Sequence, residues 1–404
     1  MLSQANLDVP ETLQKFKDRG IPVGFLVPTE TGLGKSIMDA HGNLRRFLKA
    51  NNLHDYDAQL QGTENKKSIT TLLFTEGKVV ETSTSLYRPE TKSGDPRIWV
   101  YGLGSEAGAG DLLALACNDD SLIVINCSRS DLDHLFSQED SVLSRAFPSP
   151  LAGDLSLVAQ ELLGKLGDIS SRGYIQTLRA GDTGVGFTLE TLLGIEANSS
   201  KAPDYNGIEL KASREGKSRA KQSTVFSQVP NWKISSLKGS REILEKHGRF
   251  NEEKQRKQLF HEISATKPNS YNLQLEVDEA AGLLRQVSLN TQKEMLVEQD
   301  VVWDLDKLVS RVEEKHAETM WVSALVQGKK AEEEFLYHKV KHTKGVDSLA
   351  LPILIEAGNM TVHYLIKQLP SGAAKDQGYL FKMAPKYLPL LFDQTRTFDL
   401  LSLS

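Results

Sequence analysis

One dipeptide limits this chain more tightly than any other feature: Asn206-Gly207, in "PDYNGIELKAS". Asn-Gly between alternating residues is the strongest short-range signal for a two-residue hairpin, because both central positions need positive φ. In that register Tyr205 pairs with Ile208, and Asp204 falls opposite Glu209. Period-two alternation puts Ile208, Leu210 and Ala212 on one face and Glu209, Lys211 and Ser213 on the other. Facing side chains of such a pair lie about 4.5–5.5 Å apart at Cβ, where like charges repel. A divalent cation between Asp204 and Glu209 offsets that repulsion, and Mg²⁺ favours one or two carboxylates with water and substrate phosphate. Lys211 then stands on the same face, able to orient or help deprotonate an attacking water, or to steady charge building on a phosphorane. A surface hairpin with its acids partly neutralised by Lys211 is the plainer alternative.

The charge pattern beyond the hairpin favours the chemical reading. The chain of 404 residues carries a net charge of −5, yet ten Lys or Arg face three acids between Lys211 and Arg249. Clustered cations of this kind track phosphate backbones, since counterion release supplies most nucleic-acid affinity. Lys217, Arg219 and Lys221 are the densest part of the run. A second phosphate-loop signal fails. "TETGLGKS" ends in Gly-Lys-Ser, but the required earlier glycine is Thr29, so a loop capping a helix from Ser36 is expected.

Along the chain, "SIMDAHGNLRRFLKANN" has helical spacing with Ile37, Leu44 and Leu48 on one face. Strand-like runs come next: "SITTLLFTEG", "VVETSTSLY", "RIWVYGL", "DLLALAC" and "SLIVINC". These describe a β-rich domain over 1–145. "RAFPSPLAGD" contains the expected linker, 146–154, and from 155 to 404 helices alternate with strands in an α/β or α+β pattern. Cys117 and Cys127 read as two reduced core thiols. With no apolar run of spanning length and no signal-peptide stretch, cytoplasm is the expected location and no membrane partner is expected.

The residues around the hairpin resemble a known family. Pro203-Asp204 followed by Glu209-Leu210-Lys211 resembles the PD-(D/E)XK nuclease motif. "GDTGVGFTLETLLGIEANSSKAPDYNGIELKASR" is similar to the catalytic segment of the MvaI/BcnI restriction endonuclease family. "STVFSQVP", "YNLQLEVD", "WDLDKLVSRVEEK", "FLYHKVKH" and "DQGYLFKMAPKYLPLLF" match in order, over roughly 155–400. The resemblance implies a PD-(D/E)XK core, a mixed sheet flanked by helices, that cuts duplex DNA with Mg²⁺. It implies short sites of the CC-N-GG type and a monomer treating one strand at a time. A cognate DNA methyltransferase would be a partner in the system rather than a physical one. Asp204 and Glu209 would hold the metal and Lys211 would assist the water. Glu190 would be a helix acid aimed at the same site, although first-turn acids are also favoured by the helix dipole.

A GC-rich site is read by donors to guanine O6 and N7, with phosphate contacts or a solvated strand as the alternative role for each candidate. Arg214, Arg219 and the strand "YHKVKHT" supply them, with His338 and His342 on one face and Lys339 and Lys341 on the other. A zinc role for the two histidines lacks a third ligand. The helix 303–315, apolar at 305, 308, 309 and 312, reads as core and receives no chemistry; Trp232, Trp303 and Trp321 read as packing. The β-rich front domain resembles the effector-domain arrangement of EcoRII, a pseudobarrel binding a second DNA copy. Arg88, Lys92 and Arg97 of "LYRPETKSGDPRIWVYGL" would face that DNA; a scaffold or dimerisation module is the alternative. A mismatch-nicking repair nuclease and a DNA-binding protein with a vestigial site remain competing functions.

Overall fold

Strand runs bounded by Gly, Asp and Pro turns build the amino-terminal sheet. The computed structural model describes all residues except 1–6, 119–120, 138–142, 144–145, 148–154, 196–202, 216–221, 280, 291–294, 330–331 and 404. The expected linker thus lies outside the described residues apart from Ala146 and Phe147. The chain forms two units. One comprises Met1–Leu151, Val229–Asp306 and Leu349–Tyr379; the other comprises Ala152–Gln228, Lys307–Ser348 and Leu380–Ser404.

In the first unit all five strand runs of the front region appear. A seven-stranded sheet runs in the order Gly24–Leu26, Leu113–Asn118, Ser121–Asn126, Lys67–Thr75, Lys78–Tyr87, Arg97–Val100 and Met38–Asp39. Only Lys67–Thr75 and Ser121–Asn126 pair in parallel. Leu73, Leu86, Ile98, Leu115 and Val124 fill its core with Leu44 and Phe47 of the helix Gly42–Ala50. Cys127 is buried and Cys117 half-buried, and burial pushes both thiols up to about 12, so they are inert.

The expected helix start moves. "ETGLGK" is itself a short helix, Glu30–Lys35, capped by Thr29, whose hydroxyl accepts from the Gly32 N–H at 3.0 Å. Ser36 takes the left-handed conformation (φ 54°) and ends that helix; the next begins at Gly42. Helical spacing alone did not reveal the intervening Met38–Asp39 strand, which exists only because Arg97–Val100 pairs with it. The rest of the unit holds a meander, Leu273–Asp278, Leu283–Asn290 and Met295–Asp304, and the pair Arg256–Ile263 with Met360–Gln368.

The second unit carries the hairpin. Its mixed sheet runs Phe392–Asp399, Glu334–Val346, Glu318–Gln327 and Glu209–Arg214, the last pairing in parallel and the others antiparallel. Ile175–Gln176 adds a short antiparallel strand. The helix Leu157–Ser171 starts at Ser156, whose hydroxyl accepts from the Ala159 N–H at 3.1 Å. Its Ala159, Leu162, Leu166 and Ile169 recur at helical spacing and join Ile208, Leu210, Met320, Val322 and Tyr337 in one core. Each such leucine contributes about 1.5–3 kcal/mol by burial. This is the mixed sheet flanked by helices expected of the carboxy-terminal region.

Candidate active site

The Asn-Gly turn forms as its chemistry demands. Asn206 and Gly207 both have positive φ (43° and 93°). The Tyr205 N–H donates to Ile208 O at 2.9 Å and the Ile208 N–H to Tyr205 O at 2.8 Å. The first arm is shorter than a strand: Tyr205–Ile208 is its single bridge. Beyond the turn, Glu209 pairs with Thr319 of the parallel neighbour instead of with Asp204. The Tyr205 hydroxyl fastens the turn to the first helix, donating to Glu161 at 2.7 Å and accepting from Lys165 at 2.6 Å.

The face alternation holds. Ile208 and Leu210 are 2% and 3% exposed and enter the core, while Lys211 opens toward solvent. Asp204 still reaches the second strand, its carboxylate accepting the Leu210 N–H at 2.9 Å. That leaves Oδ1 of Asp204 without this bond. Burial pushes the Asp204 carboxyl up and the Glu209 charge pushes it further; the Leu210 bond and two lysines oppose the rise. Burial also works upward on Glu209, but Lys211 and Lys315 outweigh it and hold this carboxyl below the usual range. Lys211 donates to Glu209 Oε1 and to the Leu210 carbonyl, the latter at 3.2 Å.

Glu190 sits half-buried on the helix Gly184–Leu192, its carboxyl raised by burial and then by the Asp204 charge. That coupling brings it into the same electrostatic cluster. Several contacts set this helix. Tyr337 donates to Val185 O at 2.8 Å, and Thr188, fully buried, accepts the Leu178 N–H at 3.0 Å. A Cβ on Gly184 would stand 2.2 Å from Arg179 O, so the Thr-Gly-x-Gly turn needs glycine there for a close backbone approach.

Arg214 is engaged within the protein. Its guanidinium grips Glu333 at 2.8 Å and donates to the carbonyls of Gly181 (2.7 Å) and Asp182 (2.9 Å). It thereby braces the turn that opens the Glu190 helix. His338 contacts Glu215 at 2.5 Å; His342, buried, contacts Glu318 at 2.8 Å. A bulge opposite Ser323/Ala324 skips His338, so the simple alternation of "YHKVKHT" breaks there. Lys339 is exposed, and Lys341 is half-buried with its ammonium pushed down by burial and by Lys339. Lys217, Arg219 and Lys221 lie outside the described residues.

The basic run is shared between the two units and partly neutralised. Lys246 pairs with Asp300 at 2.6 Å, Arg241 with Glu245 at 2.8 Å, and Arg249 donates to Ser270 O at 2.8 Å. In the first unit Arg88 donates to the carbonyls of Gly94, Gln59 and Tyr56, and Arg97 pairs with Asp39. Arg97 also lines a cavity of 380 Å³ with Lys35, His41 and Tyr87.

Sequence reasoning missed Lys315. Its ammonium lies 3.2 Å from Glu209 Oε1, and its helix is Leu305–His316. A signal was present: Leu308, Val312, Lys315 and His316 share one helical stripe, and the other three are fully buried. A lysine on a core stripe must find an anion. His316 locks the helix end, with Nε2 2.7 Å from Val225 O and Nδ1 3.0 Å from Thr319 Oγ1. Since a carbonyl only accepts, Nε2 carries the proton; burial lowers the ring to about 4 and keeps it neutral.

The donor set suits a hard divalent cation: Asp204 and Glu209 with the adjacent Leu210 carbonyl, all oxygen. Among the described residues no group of three or more His, Cys, Asp or Glu gathers as a metal cluster, so the acid pair is the relevant feature. Among them also, no helix is long and apolar enough to cross a membrane.

Comparison with known proteins bears on the fold and the family. The fold resembles restriction endonuclease MvaI in a complex with its cognate DNA substrate, at 22% identity and a TM-score of 0.52, over 61% of this chain and 100% of that one. The same enzyme in the absence of DNA gives 22% identity and a TM-score of 0.40, over 61% and 99%. No curated protein matches. The model of the MvaI/BcnI restriction endonuclease family matches residues 163–392, a range that includes Glu190, Asp204, Glu209, Lys211 and Lys315. The chain belongs to the MvaI/BcnI restriction endonuclease family.

Proposed function

We propose that this protein is a Mg²⁺-dependent type II restriction endonuclease that hydrolyses duplex DNA at a short GC-rich site of the CC-N-GG type. The observation that carries the reading is the gathering of Asp204, Glu209 and Lys211 at one end strand of the mixed sheet. Asp204 and Glu209 would hold the metal, with Glu190 beside them. When bound, Mg²⁺ would lower the pKa of a water and polarise the scissile phosphate. Lys211 would orient that water or offset the charge gathering on the phosphate oxygens as a P–O ester bond breaks. Membership of the family and the likeness to a DNA-bound fold both support duplex DNA as the partner.

DNA contacts fall to exposed cations. Lys339 is exposed and Lys341 adjoins it; Lys217, Arg219 and Lys221 come after the motif strand in sequence. The internal bonds of Arg214, Arg88, Arg97 and His342 favour bracing roles for them, and the Glu215 contact does the same for His338. Residues 1–145 are assigned to an effector module binding a second DNA copy, with residues 155–404 catalytic and the enzyme monomeric. A cognate methyltransferase would protect the host sites.

The test is incubation of purified protein with phage DNA, with and without Mg²⁺. Discrete fragments only with Mg²⁺ support restriction; nicks confined to lesions, or no cleavage, overturn it. Faster cutting of a two-site plasmid than of a one-site plasmid tests the effector role, which equal rates would remove.

A further inference from the structure

Two ammonium groups converge on one carboxylate oxygen in this site, an arrangement that an acid, acid and lysine set does not require. Lys211 and Lys315 both reach Oε1 of Glu209, from different elements. We propose that Lys315 is a positioning residue, the standing counterion of Glu209 that lets Lys211 leave this carboxylate for substrate. For what Lys211 then does, the inference rests on the nuclease reading above; for where Lys315 lies, it does not.

Lys211 faces competing demands. Its ammonium is bound to Glu209 and to the Leu210 carbonyl, two of the oxygens that suit a divalent cation. With two of its three N–H groups so engaged the ammonium keeps one for a water or a phosphate, and a cation taking the same two oxygens would have to displace it from them. Yet the Glu209 side chain is only 6% exposed, and a buried carboxylate stripped of its partner is costly. The Glu209 charge already bears on Asp204, so leaving it without a counterion adds to the cost. Lys315 removes the conflict, because its own contact with Oε1 survives when Lys211 moves.

The two lysines are anchored differently. Both side chains are about one-third exposed, so the difference lies in the backbone: Lys211 belongs to the end strand Glu209–Arg214. Lys315 directly precedes His316, which is fixed by Val225 O, by Thr319 Oγ1 and by stacking on Trp321 at 5.2 Å. The anchored lysine is suited to stay and the strand lysine to move.

The experiment uses the full chain as wild type, K315M and K315R. Thermal melting is followed without DNA, in EDTA and in Mg²⁺. In EDTA, K315M melts about 2–4 °C below wild type, because Glu209 keeps one partner in place of two. Mg²⁺ narrows that gap by supplying the missing positive charge, and K315R melts as wild type does throughout. Single-turnover cleavage at saturating DNA falls about tenfold in K315M with DNA affinity unchanged, and K315R restores most of it. Equal melting of K315M and wild type in EDTA overturns the assignment. So does a gap that Mg²⁺ leaves untouched while wild type itself responds to the metal. A wild type that neither responds to Mg²⁺ nor cuts DNA sinks the nuclease reading instead, and the EDTA comparison still decides the pairing.

Discussion

The Asp204 carboxylate accepts the backbone N–H of Leu210 at 2.9 Å, so the acid is clamped to the strand that carries Glu209 and Lys211. An amide side chain can keep that bond while losing the charge. D204N therefore folds, and its DNA affinity in EDTA matches wild type, but cleavage falls on the order of 10³-fold. Because burial holds the Asp204 carboxyl above its usual range, carrying its charge costs the fold stability. D204N should therefore melt no lower than wild type in EDTA and lose the stabilisation by Mg²⁺. Surviving cleavage would remove Asp204 from the site.

Arg214 separates a brace from a DNA contact. Its guanidinium spans Glu333 and the carbonyls of Gly181 and Asp182. R214A leaves Glu333, mostly buried, without that partner and frees the turn before the Glu190 helix, at about 2 kcal/mol. The expected result is a lower denaturation midpoint and slower cleavage, with an unchanged salt slope of DNA binding. A lower salt slope with wild-type stability would instead mark Arg214 as a phosphate contact.

Lys339 gives the opposite signature. It is exposed, and its strand neighbours Val340 and Tyr337 are fully buried, which fixes its outward aim. K339A should keep wild-type stability, weaken binding to all DNA sequences alike, and reduce the salt slope by about 1. Fluorescence anisotropy across a salt series measures it; an unchanged slope excludes contact.

Sequence reading works in this chain where geometry is local and stops where it is not. Asn206-Gly207 carries its own geometry, so the turn, the face alternation and the Asp204–Glu209 proximity were legible from eight residues. The first arm was over-read: a hairpin signal sets the turn, but Glu209 takes its strand partner, Thr319, from 110 positions away. His338 shows the same limit, because a bulge belongs to the pair of strands and leaves no mark in one of them. Lys315 was half-legible. Its place on the Leu308–Val312 stripe is local, but its anion is reached only through the packing of that helix. Which unit a strand joins is settled by pairing across long separations, and composition carries little of it.

Glu279 supplies a pH prediction away from the nuclease site. It is half-buried with its Oε1 shielded from solvent, and its Oε2 accepts the Asn43 N–H at 3.0 Å, capping a helix whose own N-cap residue, His41, offers no side-chain bond. Among the described residues its Oε1 has no hydrogen-bond partner. Burial raises the carboxyl to about 7; the Asn43 bond and the Arg46 charge oppose the rise, and the Glu356 charge adds to it. The unfolded side chain titrates near 4.3. Between those values the folded state holds a proton that the unfolded state has released, so stability falls as pH rises through this window and levels off above about 7. The loss is on the order of 3–4 kcal/mol. E279Q keeps an acceptor for Asn43 and cannot ionise, so it should be more stable than wild type at pH values above this window and equal to it below. Denaturant midpoints across the window measure the difference, and a difference independent of pH would show that Glu279 is ionised throughout.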